Sequence, residues 1–330
     1  MKKKLTAIIP CYLDAQAIPI MHDRLVKTFK KIKLDYEIIF INDNSPDNTQ
    51  QVLDNICQLD EKIIAITHSK SFGGMGGVIN GMQIASGDGV VILDGDLQDP
   101  PELIENFVEK WIEGYDVVYG VRVRREMKIY KEALHKLFYR LFNFMSYTKI
   151  PVDAGGFSLI DKKVVYHLLQ FPETDYWIQG LRAWVGFKQI GVDYVRPERM
   201  FGRSTNNWIS LIWWAKKAIF SFSFQPLAII NIAGIIITFL SFIGILIQIY
   251  FKISNPDGAP QGYTTLAVLI LFFGGINLLA LSFIGEYISK IFEETKKRPR
   301  FITKEITVGN KKYSSIEDIK SFIDKRSIIK

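Results

Sequence analysis

Val90-Val91-Ile92-Leu93-Asp94-Gly95-Asp96-Leu97-Gln98-Asp99-Pro100-Pro101-Glu102 is the stretch whose reading decides the fold. Val90 to Leu93 are uniformly apolar and read as a buried strand. The run ends in Asp94-Gly95-Asp96, and Pro100-Pro101 then opens a helix. Gly95 is expected to let the backbone turn sharply, so that both carboxylates face one point just past the strand. Open α/β sheets bind ligands at the carboxyl ends of their strands. Asp94 and Asp96 with the Gln98 carbonyl make a hard-oxygen donor set suited to Mg²⁺ or Mn²⁺, ions that usually also bind substrate phosphates. A bare Asp-x-Asp is more often a solvated acidic turn. The strand before this one and the Leu-Gln-Asp-Pro-Pro after it favour a site.

Outward from this stretch, strand and helix signals alternate. Leu5–Ile9, Glu37–Ile41, Ile63–Thr67 and Val117–Val121 read as further strands. Ile18–Lys31, Thr49–Leu59, Val78–Ala85 and Pro101–Glu113 carry helical spacing. The alternation predicts an α/β domain with a mostly parallel sheet and helices on both faces. Polar residues gather after each strand, where such a sheet places its site. Pro10-Cys11-Tyr12-Leu13-Asp14 follows the first. Asn42-Asp43-Asn44-Ser45-Pro46-Asp47-Asn48-Thr49 follows the second, with Asp43 placed to accept from a base or ribose. Asp47 and Thr49 read as caps of the next helix. Ser69-Lys70-Ser71-Phe72-Gly73-Gly74-Met75-Gly76-Gly77 follows the third. Its glycines allow a close ligand approach, and Lys70 is either a phosphate contact or a solvated loop lysine. Neither GxGxxG nor the P-loop pattern is matched.

The 330 residues allow one large or two medium domains. The apolar residues crowd between Pro226 and Ile284, and much of the +7 net charge lies beside them. That placement suits an anionic membrane surface and not nucleic acid. Two cysteines, Cys11 and Cys57, cannot make a disulfide framework. Met1-Lys2-Lys3-Lys4 mimics the start of a signal peptide, but the apolar run after it stops at Pro10, and Leu5–Ile9 reads as a first strand.

In this order, Pro-x-Tyr (10–12), Asn-Asp-Asn-Ser-Pro-Asp-Asn-Thr (42–49), Ser-Gly-Asp (86–88) and Asp-Gly-Asp-Leu-Gln-Asp-Pro-Pro-Glu (94–102) resemble glycosyltransferase family 2. The likeness is greatest to its polyprenyl-phosphate glycosyltransferases, such as dolichyl-phosphate mannose synthase and bactoprenol glucosyltransferases. Gly120-Val121-Arg122-Val123-Arg124-Arg125, Arg196-Pro197-Glu198-Arg199-x-x-Gly202-x-Ser204, Gly285-Glu286-Tyr287 and Arg298-Pro299 extend it, so it covers roughly residues 5–303. The resemblance implies a GT-A (Rossmann-like) catalytic domain and a nucleotide-diphosphate sugar donor. Pro10, Tyr12, Asp14, Asp43, Lys70 and Asp94 would hold the donor. Asp94, Asp96 and Gln98 would hold Mg²⁺ or Mn²⁺ on its diphosphate. The acceptor implied is a polyprenyl phosphate such as undecaprenyl phosphate, clamped by Arg122, Arg125 and Arg199 with Ser204 as a donor. A homo-oligomer is also implied.

The chain departs from the family pattern in three places. Where the family often has Asp-x-Gly-Asp-Phe-Arg, this chain has Asp153-Ala154-Gly155-Gly156-Phe157-Ser158. The second acid, often taken as the base, is thus Gly156, and the arginine is Ser158. The usual Ser-Lys-Tyr is Ser204-Thr205-Asn206. A monoester phosphate has a second pKa of about 6 and arrives largely deprotonated, so a phosphate acceptor needs little base help. Asp153 and Asp96 are then the candidate catalytic acids. Gln179-Gly180-Leu181-Arg182-Ala183-Trp184 resembles the QxxRW of processive synthases with its spacing off by one, and reads as a structural helix.

Ile129–Met145 and Trp208–Phe224 combine apolar faces with lysines and read as amphipathic helices in the membrane interface. Leu227–Phe251 and Thr264–Ile284 are uncharged runs long enough to span. Arg196, Arg199, Arg203, Lys216 and Lys217 precede the first run, and Lys290, Lys296, Lys297, Arg298 and Arg300 follow the second. The positive-inside rule puts the catalytic domain and C-terminus in the cytosol of an integral membrane protein. The organisation expected is a catalytic domain over 1–205, an interfacial helix over 206–225, a two-helix hairpin over 226–289 and a cytosolic tail over 290–330. The expected activity is inverting transfer of one sugar, from a UDP-sugar in the first instance, to polyprenyl phosphate for the cell envelope. Two alternatives stand beside it: a processive polysaccharide synthase, and a catalytically degenerate lipid-binding scaffold.

Overall fold

A computed structural model describes residues 3–124, 154–174, 176–197, 200–201, 225–254 and 262–326. The described residues fall into two compact units. One holds those up to 201 together with 298–326, and the other holds 225–297. The first is built on a sheet of nine strands in the order β7-β5-β6-β4-β1-β2-β3-β8-β9. In chain order these are β1 Lys4–Cys11, β2 Asp35–Asn42, β3 Ile63–His68, β4 Gly89–Ile92, β5 Val117–Arg124, β6 Ala154–Asp161, β7 Gln189–Val195, β8 Thr303–Val308 and β9 Lys311–Tyr313.

All five expected strands form. The four at the centre, β4-β1-β2-β3, run parallel. Their interiors are almost wholly buried, which is why they read as continuous apolar runs. The sheet as a whole is mixed, where a mostly parallel one was expected. β6 inserts antiparallel between β4 and β5, and β8 adds antiparallel to β3. The inserted strand, Ala154-Gly155-Gly156-Phe157-Ser158-Leu159-Ile160-Asp161, opens on two glycines and hides its β character at that end. Residues 303–326, expected as part of a separate tail, complete the first unit instead, through β8, β9 and a last helix.

The helices obey the 3.6 spacing that predicted them. In α1 (Ile18–Ile32) the buried residues are Ile18, Met21, Leu25, Thr28 and Phe29, with Pro19 in the first turn. α2 (Thr49–Leu59) buries Leu53, Ile56 and Cys57. After a 3₁₀ turn at Pro101–Leu103, α4 (Ile104–Ile112) buries Ile104, Phe107, Val108 and Trp111. These meet one face of the sheet through Leu5, Ala7 and Ile9, alternate residues of β1. On the other face α3 (Gly74–Ile84) starts four residues before the expected Val78. It lies so close to β1 that a Cβ on Gly81 would stand 2.5 Å from Ile8 Cγ2. α5 (Lys162–Leu169) is capped by Asp161, and α6 (Ile178–Trp184) carries Gln179 and Arg182. α9 (Ile316–Arg326) is the last element. Cys11 and Cys57 are buried and unpaired.

The second unit contains α7 (Gln225–Ser254) and α8 (Tyr263–Thr295). Leu227–Gly244 and Phe272–Thr295 are long and apolar enough to cross a membrane by length and composition. Large apolar side chains stand exposed along both, including Ile235, Phe239, Leu278 and Leu281. α8 continues beyond Ile284, where the second run was expected to end. The amphipathic helices expected over 129–145 and 208–224 lie outside the described residues.

Candidate active site

The loops leaving β1, β2, β3 and β4 gather at the carboxyl edge of the parallel core. There Asp94 and Asp96 face the same cationic nitrogen. Arg196 Nη2, just past β7, lies 3.4 Å from Asp94 Oδ2 and 3.8 Å from Asp96 Oδ2. Arg196 Nε stands 3.8 Å from Asp99 Oδ1 and has no hydrogen-bond acceptor among the described residues. Asp96 is 6 % exposed, and its Oδ1 accepts from the Gln98 N–H at 3.1 Å. The sharp turn is made at Leu97, which takes a left-handed φ of 62° while fully buried. A non-glycine residue in that region is strained, and such strain collects at functional sites. Gly95, expected to make the turn, serves by close approach. A Cβ there would lie 3.1 Å from the Pro10 carbonyl oxygen and 3.2 Å from Asp14 Oδ2.

Asp99, to which the sequence pattern assigns no role, organises this turn from beneath. It is 1 % exposed, accepts from Tyr194 Oη at 2.9 Å and from the Asp94 N–H at 3.3 Å. Arg122 Nε donates in turn to Tyr194 Oη at 3.3 Å. Burial and the carboxylates of Asp99 and Asp96 push the Asp94 carboxyl up to about 7, against the pull of Arg196 and Arg122. Its side chain is 63 % exposed, so we ascribe the larger part of this rise to crowded negative charge and the lesser part to loss of water. A site that raises a carboxyl in this way is short of positive charge until a cation enters.

Asp43 is fully engaged. Its Oδ1 accepts from the Phe72 N–H and pairs with His68 Nδ1, each at 2.8 Å. Its Oδ2 accepts from Ser71 Oγ at 2.7 Å and from the Gly73 N–H at 2.8 Å. Burial alone would raise its pKa, but these donors, His68 first, hold it below the usual carboxylate range. Through these four hydrogen bonds Asp43 shapes the glycine-rich loop. His68 is itself held by Asn80, whose amide also donates to Thr303 Oγ1. Phe301 stacks on the His68 ring, and the Ser69 N–H donates to the Ile302 carbonyl. The start of β8 thus buttresses the loop, a contact that no local sequence pattern announces. Asp43→Asn would turn an amide N–H₂ toward these donors. We expect about a tenfold rise in donor KM with a lower Tm, since unsatisfied buried groups cost roughly 1–3 kcal/mol. Steady-state rates and a melting curve check both.

The remaining expected residues take varied places. Asp14 Oδ2 accepts from the Tyr12 N–H, which ties the β1 loop to the Gly95 turn. Tyr12 is exposed at the rim. Pro10 lies in β1, with its ring against α3 at Gly77. Lys70 sits exposed, its ammonium over the Phe72 ring. Gln98 Nε2 donates to the Pro197 carbonyl. Asp47 accepts from the Thr49 N–H at the start of α2, as expected of a cap, and from the Ala15 N–H. Arg125, Asp153, Arg199 and Ser204 lie outside the described residues. Among the described residues no three His, Cys, Asp or Glu side chains are placed to hold a metal ion between them. Two carboxylates on one cationic nitrogen fit a divalent ion that takes its other ligands from phosphate oxygens and water.

The glycosyl transferase family 2 profile matches residues 6–169. An uncharacterized glycosyltransferase of Bacillus subtilis, YkcC, is 37 % identical over 92 % of this chain and 95 % of its own. The prophage bactoprenol glucosyl transferase homolog of Escherichia coli is 35 % identical over 92 % of this chain and 99 % of its own. The bactoprenol glucosyl transferase of Shigella phage SfII is 34 % identical over 93 % and 99 %. This chain belongs to glycosyl transferase family 2, and its first unit is a GT-A-type α/β domain with a mixed sheet. Among solved structures, the mannosyltransferase PcManGT of Pyrobaculum calidifontis, in complex with GDP-Man and Mn²⁺, is 14 % identical with a TM-score of 0.43. The alignment covers 90 % of this chain and 87 % of that one. That likeness is too distant to carry a conclusion about chemistry.

Proposed function

We propose that this glycosyltransferase moves one sugar from a nucleoside-diphosphate donor, a UDP-sugar in the first instance, to a polyprenyl phosphate at the cytosolic face of a membrane. The observation that carries this reading is the convergence of Asp94 and Asp96 on one cationic nitrogen at the carboxyl edge of β4. The bactoprenol names of relatives matched over nearly their whole length support the acceptor. Membrane residence is supported by α7 and α8, of 30 and 33 residues. At 1.5 Å per residue they run about 45–50 Å, beyond the ~30 Å of a hydrocarbon core. Their exposed isoleucines, leucines and phenylalanines would be costly in water. Basic residues on both flanks favour the cytosolic side for the first unit.

In this reading Asp94, Asp96 and Gln98 hold Mg²⁺ or Mn²⁺, which when bound acts as a Lewis acid on the diphosphate. Asp43 positions the glycine-rich loop, with Pro10, Tyr12, Asp14 and Lys70 around the nucleotide. Arg122, held by Tyr194, would bind the acceptor phosphate, the role that the sequence also suggests for Arg125, Arg199 and Ser204. The bond from the anomeric carbon to the β-phosphate oxygen breaks, and its electron pair leaves with the nucleoside diphosphate. A phosphate oxygen of the acceptor forms the new bond on the opposite face, inverting the carbon. That oxygen carries no proton to remove, so Gly156 can stand where relatives of the resemblance have an acid. Asp153 then orients acceptor or sugar.

Purified protein is incubated with Mg²⁺ or Mn²⁺, undecaprenyl phosphate and labelled nucleotide sugars. Chloroform-soluble label from one donor is expected. Polymer would identify a processive synthase, and nucleotide binding without turnover a scaffold.

A further inference from the structure

Gly155 and Gly156 lie beside the carboxylate rim, next to Arg122 and to two side chains that the transfer chemistry leaves unused, Gln179 and Arg182. β6 pairs antiparallel with β4, with Ile92 opposite Ser158. The two glycines therefore extend past the end of β4, on the edge that carries Asp94. A Cβ on Gly155 would meet Arg122 Nη2 at 3.4 Å. One on Gly156 would meet Gln179 Nε2 at 3.6 Å and nothing else of the described residues within 4 Å. Arg182, three residues after Gln179 on α6, is 2 % exposed and donates from Nη2 to the Gly155 carbonyl. Its guanidinium lies over the Tyr119 ring. Arg182 thus holds Gly155 in place, and Gln179 overhangs Gly156.

Gln179 Oε1 is buried and has no hydrogen-bond partner among the described residues. Buried amide oxygens are rarely left so, and beside a substrate site the substrate is a ready source of the missing donor. A deprotonated phosphate has no hydrogen to give. A sugar hydroxyl has one, and it also accepts, so it satisfies the amide in either orientation. We propose that Gln179 reads one hydroxyl of the transferred sugar, over the space that Gly156 leaves open, and so sets donor specificity. This rests on the proposed sugar transfer and adds to it a residue that chooses among sugars.

The test compares kcat/KM for the accepted donor and its mono-deoxy analogues, in wild type and in Gln179→Met, which keeps the side-chain length. One deoxy donor is expected to fall about 10–100-fold in wild type, since a site that hydrogen-bonds a hydroxyl rejects the analogue lacking it. In Q179M the same donor should come within about threefold of the parent, the parent having lost what the analogue lacks. Ratios between donors in one preparation do not depend on the fraction of protein folded, so partial misfolding cannot imitate this result. Equal loss on every donor, or unchanged ratios, would overturn the role of Gln179 alone. A wild-type protein that transfers no sugar from any donor would overturn the proposed function as well.

Discussion

Asp96→Asn is expected to lower kcat/KM for sugar transfer by roughly 10²–10³-fold, the range for removing one electrostatic partner of a developing charge. The substitution is nearly isosteric, and the contact from the Gln98 N–H to Oδ1 at 3.1 Å can persist to the amide oxygen. What disappears is the second negative charge facing Arg196 Nη2. The fold should not suffer. Asp94, Asp96 and Asp99 crowd one turn, and their mutual repulsion helps to push Asp94 up to about 7. Neutralising one of the three relieves that repulsion, so Tm should hold or rise while activity falls. Loss of function with retained or improved stability is the signature of residues kept for a ligand and not for packing. Rates across a Mn²⁺ titration and melts without metal separate the two effects. An Asp96→Asn protein as active as wild type would remove the cation from the account.

The parts of this protein that were readable in advance are those where one local rule suffices. β1 to β5 announce themselves by buried apolar runs, α1, α2 and α4 by their 3.6 spacing, and the Asp94–Glu102 turn by its acids and prolines. What escaped needs contacts between distant residues. β6 begins on Gly155-Gly156, which reads as a break, yet β4 and β5 hold it on either side. Gly156, first met as a departure from a motif, leaves open the space that Gln179 overhangs. Gln179 and Arg182 suggested only a structural helix, and Arg182 keeps that role, while the unpartnered amide oxygen is visible only in three dimensions. Asp99 and Tyr194 are 95 residues apart, and no spacing rule joins them. β8 alternates as a strand should, but nothing in its sequence says which edge it joins. The antiparallel seat beside β3 follows from Asn80, His68 and Thr303 meeting there.

Glu37→Ala should lower Tm by on the order of 10 °C, because it strands two cations at the opposite edge of the sheet. Glu37 is almost fully buried. It accepts from Lys4 Nζ at 2.8 Å, Thr6 Oγ1 at 2.7 Å, and the Ser86 N–H and Oγ at 2.8 Å. Arg326, at the end of α9, also pairs with it. One carboxylate therefore fastens the first strand, the approach to β4 and the last helix. Breaking a buried pair by removing one partner costs roughly 3–5 kcal/mol, and each kcal/mol is worth about 2–4 °C in a domain of this size. The pH dependence gives an independent check. Burial alone would raise this carboxyl, but Arg326 first, then Lys4, Ser86 and Thr6, hold it down at about 2. A depressed acid contributes stability that is complete above its unfolded pKa of ~4.3 and is lost as pH falls toward the folded value. The contribution is on the order of 3 kcal/mol, at 1.36 kcal/mol per unit. The wild-type melting temperature should thus fall more steeply than that of Glu37→Gln between pH ~4.3 and ~2, because the amide has no proton to take up. Parallel curves for the two proteins in that window would show that Glu37 is not depressed, and that α9 is held by its other contacts.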